Sequence, residues 1–459
     1  MPVIDLGELG PGVPAGRNGP DTDPPGGYRG GSARHRRDAR RAALAAVLVG
    51  SLTLLAAGDP LPRPLPELGV PARLGASVAV VGDWLFVTDP LGPGDVGQEL
   101  TAYRLPSGPP GDAELAPAWR IRLPDGDVLA STVRDGTLLL TTRPYRSGAV
   151  TVRALDVTSG TPRWERSGRL EAVSVTGDLL LGTAGPEGPG AAAAGHDPLT
   201  TLVALDPASG AVRWSLSSPP GARRHHWSDS ADRARTLLVV LPSGRVEIRD
   251  AATGALLRAG VLPAPGAGPD PRWSGGIVGD LFVTYEAGTV TAYGLPELDR
   301  RWSAPIGDRE LGPVSCEPFL CSYRDDGGVR VWDPDTGRTR WTDRRWVNLY
   351  RVGGVLVASA AADHGRPGAL AVLDPDSGRP VAELGVWELL TDGSGTRFVG
   401  VRTDPHGRTR VAELDPAAGQ VRLVTVVRGV SGDCGLAGRW LWCRRVDASV
   451  GLWALPARP

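Results

Sequence analysis

The sequence predicts an all-β propeller of eight four-stranded antiparallel blades, with seven or nine as the alternatives, behind a single N-terminal transmembrane helix. Three observations predict it. One phrase recurs along the chain as "LDVTSGTPRW", "LDPASGAVRW" and "WDPDTGRTRW", with the variants "LDPDSGRPVA" and "LDPAAGQVRL". A Trp closes the fullest copies, at Trp164, Trp214 and Trp341, and Trp302 closes the looser "AYGLPELDRRW". An uncharged apolar run, 42–58, directly follows a basic stretch.

The phrase is a turn with a mechanism. Its Asp accepts backbone N–H groups just ahead, Pro at the next position fixes φ, and Gly four residues on tolerates positive φ. Copies are marked by Asp156, Asp206, Asp250, Asp333, Asp374 and Asp415, with Arg104 and Gly294 in the same slot. They recur roughly every 40 to 50 residues, the length of one small sheet. Two short apolar runs joined by a Gly-Asp turn precede each marker, as in "AVSVTGDLLLGT" and "GGIVGDLFVTY", and a fourth run follows it. Four strands per repeat, stacked around an axis, bury faces that one sheet alone cannot. An indole at a fixed place, Trp164, Trp214, Trp302 or Trp341, has the volume to fill the gap between sheets and an N–H to cap a carbonyl. Eight turn phrases set the count at eight, leaving a partial ninth unit from Gly432 to Pro456 whose final run "VGLWALP" suits closing a ring.

The N-terminus reads as an address. Residues 1–33 are Gly- and Pro-rich without apolar periodicity and form a disordered cytoplasmic tail. Residues 34–41, "RHRRDARR", make a basic juxtamembrane stretch, and 42–58 meets the lower bound of about 17 residues for a spanning helix. The arginines before the run, with only Arg63 close behind it, place the N-terminus in the cytoplasm and everything after Gly58 outside. The alternative is a cleaved signal at "LLAAGD", which would release the same domain as a secreted protein. Residues 59–73 read as a Pro-rich spacer, and 74–459 as the propeller.

Composition agrees with a turn-rich all-β chain: 63 Gly, 43 Pro and a formal net charge of −1 over 459 residues. Every basic residue other than His is Arg, the imprint of a GC-rich genome, and acidic residues balance them, so no nucleic-acid partner is expected.

The phrases ending at Trp164, Trp214 and Trp341 resemble the repeats of quinoprotein-like propellers, named for pyrroloquinoline quinone. The resemblance covers about residues 74 to 456. It implies the propeller fold and an indole docked between blades. It leaves activity open, because that superfamily includes dehydrogenases, assembly scaffolds and sensor domains. Its quinone-dependent alcohol dehydrogenases hold the cofactor beneath a ring of two adjacent cysteines, and no Cys-Cys pair occurs here.

Cys316, Cys321, Cys434 and Cys443 instead form two close sequence pairs, each bracketing a tight turn, which predicts one local disulfide per hairpin in an exported domain. The "DPDTG" and "DPDSG" phrases lack the spacing and the final Glu of a calcium loop, and no Cys/His set converges on zinc. No catalytic, cofactor or metal residue is assigned, and no cofactor is expected. "GARRHHWSD" is read as a solvated loop whose Arg223, Arg224, His225 and His226 form a candidate interaction segment. The expected function is that of a non-enzymatic, membrane-anchored extracytoplasmic scaffold or ligand-sensing module. Its partners would be the lipid bilayer, through 42–58, and an outside protein or small ligand. A quinone-dependent dehydrogenase or other propeller enzyme with an unrecognised central site is the alternative.

Overall fold

In the computed structural model the described residues are 64–457, apart from 93–94, 96, 109–112, 125, 145–149, 185–198, 229–232, 264–273, 287, 308, 317, 353, 363–366 and 393–396. They form nine antiparallel sheets, eight of them four-stranded. Taken in chain order, blades 1 to 8 span 77–123, 126–167, 169–217, 223–261, 274–305, 314–343, 346–386 and 388–428. Blade 9 takes its first three strands from 430–454 and its fourth from Glu67–Val70.

The count is therefore nine rather than eight. The strand that the ninth unit lacks comes from inside the segment expected to be a spacer. Glu67–Val70 pairs antiparallel with Val450–Ala454, with Leu68 opposite Leu452 and Val70 opposite Val450. Leu68 and Val70 are 3% and 1% exposed, so this short strand, flanked by Pro66 and Pro71, is fixed by burial rather than by local preference. The propeller begins at 67, not 74. Ala113–Glu114, from a loop of blade 1, adds a parallel fifth strand to the outer edge of Glu67–Val70.

Nine sheets in a ring have nine seams, whereas nine in an open row have eight. Nine buried apolar clusters are present among the described residues, one for each consecutive pair and one joining blade 9 to blade 1. The closing cluster includes Leu68, Val70, Leu85, Val87, Trp440 and Leu452. First strands of neighbouring sheets touch one another at six of the nine seams, including that of blades 9 and 1, so they line the axis and the fourth strands form the rim. Second strands are buried on both faces over much of their length and carry apolar runs there, as at 84–87 within Trp84–Pro90 and 237–240 within Ala234–Val240. Rim strands such as Pro117–Leu123 alternate.

The tail, the basic stretch and the apolar segment 42–58 lie outside the described residues. Among the described residues no helix is long and apolar enough to cross a membrane.

Candidate interaction surface

Each phrase spends its Asp inside its own turn. Asp206 Oδ1 accepts the backbone N–H of Ala208 at 3.1 Å and of Ser209 at 2.9 Å, and the Ser209 hydroxyl at 2.8 Å. Its other oxygen takes the Arg213 guanidinium at 2.6 Å. Asp156 is held alike by Thr158, Ser159 and Arg163, and Asp333 by Thr336 and Arg340. The Ser209 N–H and hydroxyl keep Asp206 below the ordinary carboxylate range, as the Thr158 hydroxyl and Arg163 do for Asp156. Carboxylates with their lone pairs filled this way have little left to offer a cation. Among the described residues no group of three or more His, Cys, Asp or Glu is placed to hold a metal.

The indoles work across seams. Trp164 Nε1–H donates to the Pro207 carbonyl at 3.0 Å, Trp214 to Ala252 at 2.8 Å, Trp302 to Pro334 at 2.6 Å and Trp341 to Pro375 at 3.0 Å. Each ring also lies on the Gly of the next blade's turn. A Cβ built on Gly210, Gly254 or Gly378 would stand 2.7, 2.8 or 2.5 Å from the ring carbons. The Trp and Gly of the phrase thus meet between successive copies. Trp119 belongs to the same set, donating to the Val157 carbonyl at 2.8 Å against Gly160. Sequence reading missed it because an insertion separates it from its marker, Arg104. The alternating "AWRIRL" after the insertion is the signal that was available.

Four seams lack this indole. Arg258 takes its place between blades 4 and 5, facing Glu297 at 3.4 Å, and Ala382 takes it between blades 7 and 8, against Gly419. At the next seam Arg397 donates to the Pro456 carbonyl at 2.7 Å. At the closing seam Arg439 reaches the carbonyls of Pro106 at 2.9 Å and Gly108 at 2.8 Å. At these last two of the four seams a guanidinium caps main-chain carbonyls where no indole does.

The expected disulfides form, Cys316 with Cys321 and Cys434 with Cys443, each joining the first two strands of its blade. The segment 223–226 is not a loop: Arg223–Ser228 is the axial strand of blade 4. Its apolar neighbours on blades 3 and 5 draw it in despite its charge. Arg224 makes a bidentate pair with Glu171 of blade 3 at 2.6 and 3.1 Å, both side chains nearly buried. His225 packs on Phe282 of blade 5, ring centres 5.4 Å apart, and burial lowers its pKa to about 4. The Arg-His segment therefore joins three blades rather than presenting a free loop.

The exposed apolar surface lies elsewhere. Rim strands of blades 4, 7 and 8 show Leu256, Leu257 and Val261, then Val381 and Val386, then Val421 and Leu423 to solvent, with Leu257 61% and Val381 65% exposed. These three blades carry Arg258, Ala382 and Leu423 where others carry the docking indole. Each rim strand has one edge with unpaired backbone groups, and the fifth strand of blade 9 shows such an edge accepting another segment.

The family described as outer membrane protein assembly factor BamB, a pyrroloquinoline-quinone-repeat family, matches residues 60–246 and 201–343. The chain belongs to this family. No curated protein sequence is matched. Among solved structures, BamB from Moraxella catarrhalis is 14% identical, with 86% of this chain and 100% of that chain covered at a TM-score of 0.42. The computationally designed Ika8 protein is 14% identical over 72% of this chain and 96% of its own, also at 0.42. A quinohemoprotein alcohol dehydrogenase from Pseudomonas putida HK5 is 14% identical over 63% of this chain and 62% of its own, at 0.37. The family match starts at residue 60, ahead of the Glu67–Val70 strand that closes the ring.

Proposed function

We propose that this BamB-family propeller is a membrane-anchored, extracytoplasmic protein-interaction scaffold that acts without chemistry of its own. The observation carrying this reading is the set of apolar, open-edged rim strands on blades 4, 7 and 8. An exposed edge of this kind recruits an extended segment through main-chain hydrogen bonds and side-chain pockets. Two disulfides support an oxidising compartment, and the basic-then-apolar order of 34–58 supports an anchor with the propeller outside.

The test is site-specific photocrosslinking in intact cells from Leu257, Val381 and Leu423, with Arg235 as a surface control. Adducts at the rim that disappear with Leu257→Glu or Val381→Glu are expected. Equal adducts from every site, or none, overturn the rim as the binding surface. Dye-linked alcohol oxidation by the purified chain with pyrroloquinoline quinone and calcium would replace the scaffold by the dehydrogenase reading.

A further inference from the structure

We propose that blade 8 carries a binding site for a phosphate group, built by Arg402, Arg408, Arg410 and Arg428 around the turn at Asp404–Gly407. Strand register brings these residues together: Arg402 stands opposite Arg410, and Arg408 opposite Arg428. Because side chains alternate along a strand, Arg408 and Arg410 share one face, and their cross-strand partners share it with them. Four guanidinium groups thus gather on one end of one sheet face.

Such pairing runs against the rule that like charges directly opposite one another destabilise a sheet. Elsewhere in the described sheets the charged pairs are of opposite sign, as in Glu99 with Arg122, Asp127 with Arg143, Arg153 with Glu165 and Glu413 with Arg422. The one acidic pair, Asp89 with Glu99, is compensated on both sides, since Arg73 donates its backbone N–H to Asp89 and Glu99 also faces Arg122. In blade 8 only Arg408 is compensated in this way. The nearby acid, Asp404, is taken up by Arg408 Nε at 2.9 Å and by the N–H groups of His406 and Arg408 at 2.9 and 3.1 Å. Arg402 lies over the Trp387 ring at 4.9 Å. The side chains of Arg410 and Arg428 have no hydrogen-bond or ion-pair partner among the described residues.

The turn at this end also borders a cavity of about 660 Å³, lined by His406, Arg408 and Arg428 together with Gly407, Gly429, Val430 and the exposed Val446, whereas Arg402 and Arg410 stand outside its lining. Guanidinium forks with unspent donors match an oxygen-rich dianion. A phosphate can engage two of them at once, whereas one carboxylate fills a single fork. The chain's net charge of −1 conceals this local excess.

The ligand could be a free phosphate compound or a phospholipid headgroup, and one experiment separates them. Full-length protein in detergent is titrated calorimetrically with inorganic pyrophosphate. In parallel, it is sedimented with phosphatidylcholine vesicles with or without phosphatidylglycerol, counting only the increment that the anionic lipid adds. Arg410→Glu/Arg428→Glu is expected to weaken pyrophosphate binding by at least about tenfold. Binding by the wild type is expected to fall as salt rises. A phosphatidylglycerol increment that pyrophosphate competes away identifies a headgroup site, and pyrophosphate binding without an increment identifies a soluble phosphate. Arg410→Gln/Arg428→Gln guards against misfolding, since removing like charges should leave the melting temperature equal or higher without ligand. Pyrophosphate binding equal in wild type and both variants, or absent from the wild type together with any lipid increment, overturns the site.

Discussion

Between blades 6 and 7 the bulk comes from the rim strand, as Trp341, and the turn opposite is bare at Gly378. Between blades 4 and 5 the arrangement is exchanged. The rim strand offers Gly260 and the turn supplies Leu298, whose side chain would stand 2.8 Å from a Cβ on Gly260. Leu298 sits at φ 63°, in the position where the other turns place Gly. Blades 7 and 8 follow a third course, with Ala382 facing Gly419 and Trp387 entering from the connecting segment. What each seam conserves is filled volume, and which residue supplies it varies. This follows from close packing, where a void forfeits contacts and an excess forces strain.

The largest effect should come from emptying the first seam. Trp341→Ala removes a nearly buried indole and its bond to Pro375, and should cost about 3 to 5 kcal/mol in urea unfolding followed by circular dichroism. Gly378→Leu adds bulk against the same ring at φ 68° and should cost about 2 to 4 kcal/mol. Combining them imitates the exchanged seam, so the double variant should lose less than the sum of the singles by about 1 kcal/mol or more. Strict additivity would break the volume argument.

The two seams should also part company with pH. His225, on the blade 4 side against Phe282, is pushed down to about 4 by burial, with His226 and Arg223 adding to the effect. An unfolded His titrates near 6.5, so the unfolded chain binds the extra proton first. Stability from this group is whole above about pH 6.5 and is lost as pH falls towards 4, by at most about 3 kcal/mol. His225→Phe should flatten that part of the melting-temperature profile while Trp341→Ala leaves its slope unchanged. Reduction probes the other side: Cys316 and Cys321 belong to the blade 6 and 7 cluster, and their short loop predicts a loss of about 2 kcal/mol on Cys316→Ser/Cys321→Ser. The smallest change is expected for Leu298→Gly. Relief of its left-handed backbone, about 1 kcal/mol, offsets much of the lost packing, so its melting temperature should stay within a few degrees of wild type.

What could be read along the chain was whatever a few neighbouring residues fix. The Asp-to-Gly turns and the two hairpin disulfides depend on contacts within one or two strands, and each is spelled out in its own phrase, while the Trp positions, whose contacts cross seams, showed through their recurrence at one place in the phrase. Trp119 escaped only because an insertion broke the spacing. The site at blade 8 was hidden for a different reason: Arg402, Arg408, Arg410 and Arg428 look like ordinary surface arginines until register sets them opposite one another.

By itself the sequence determined that this chain makes four-stranded sheets that stack through an indole, since turn chemistry and strand alternation act at short range. Tertiary structure alone decided that there are nine sheets and that the ring shuts, because Glu67–Val70 acquires its strand only from Val450–Ala454 at the far end of the chain. It decided equally that the charged segment at 223–226 faces the axis, where burial between neighbouring blades and the Glu171 carboxylate outweigh its polarity.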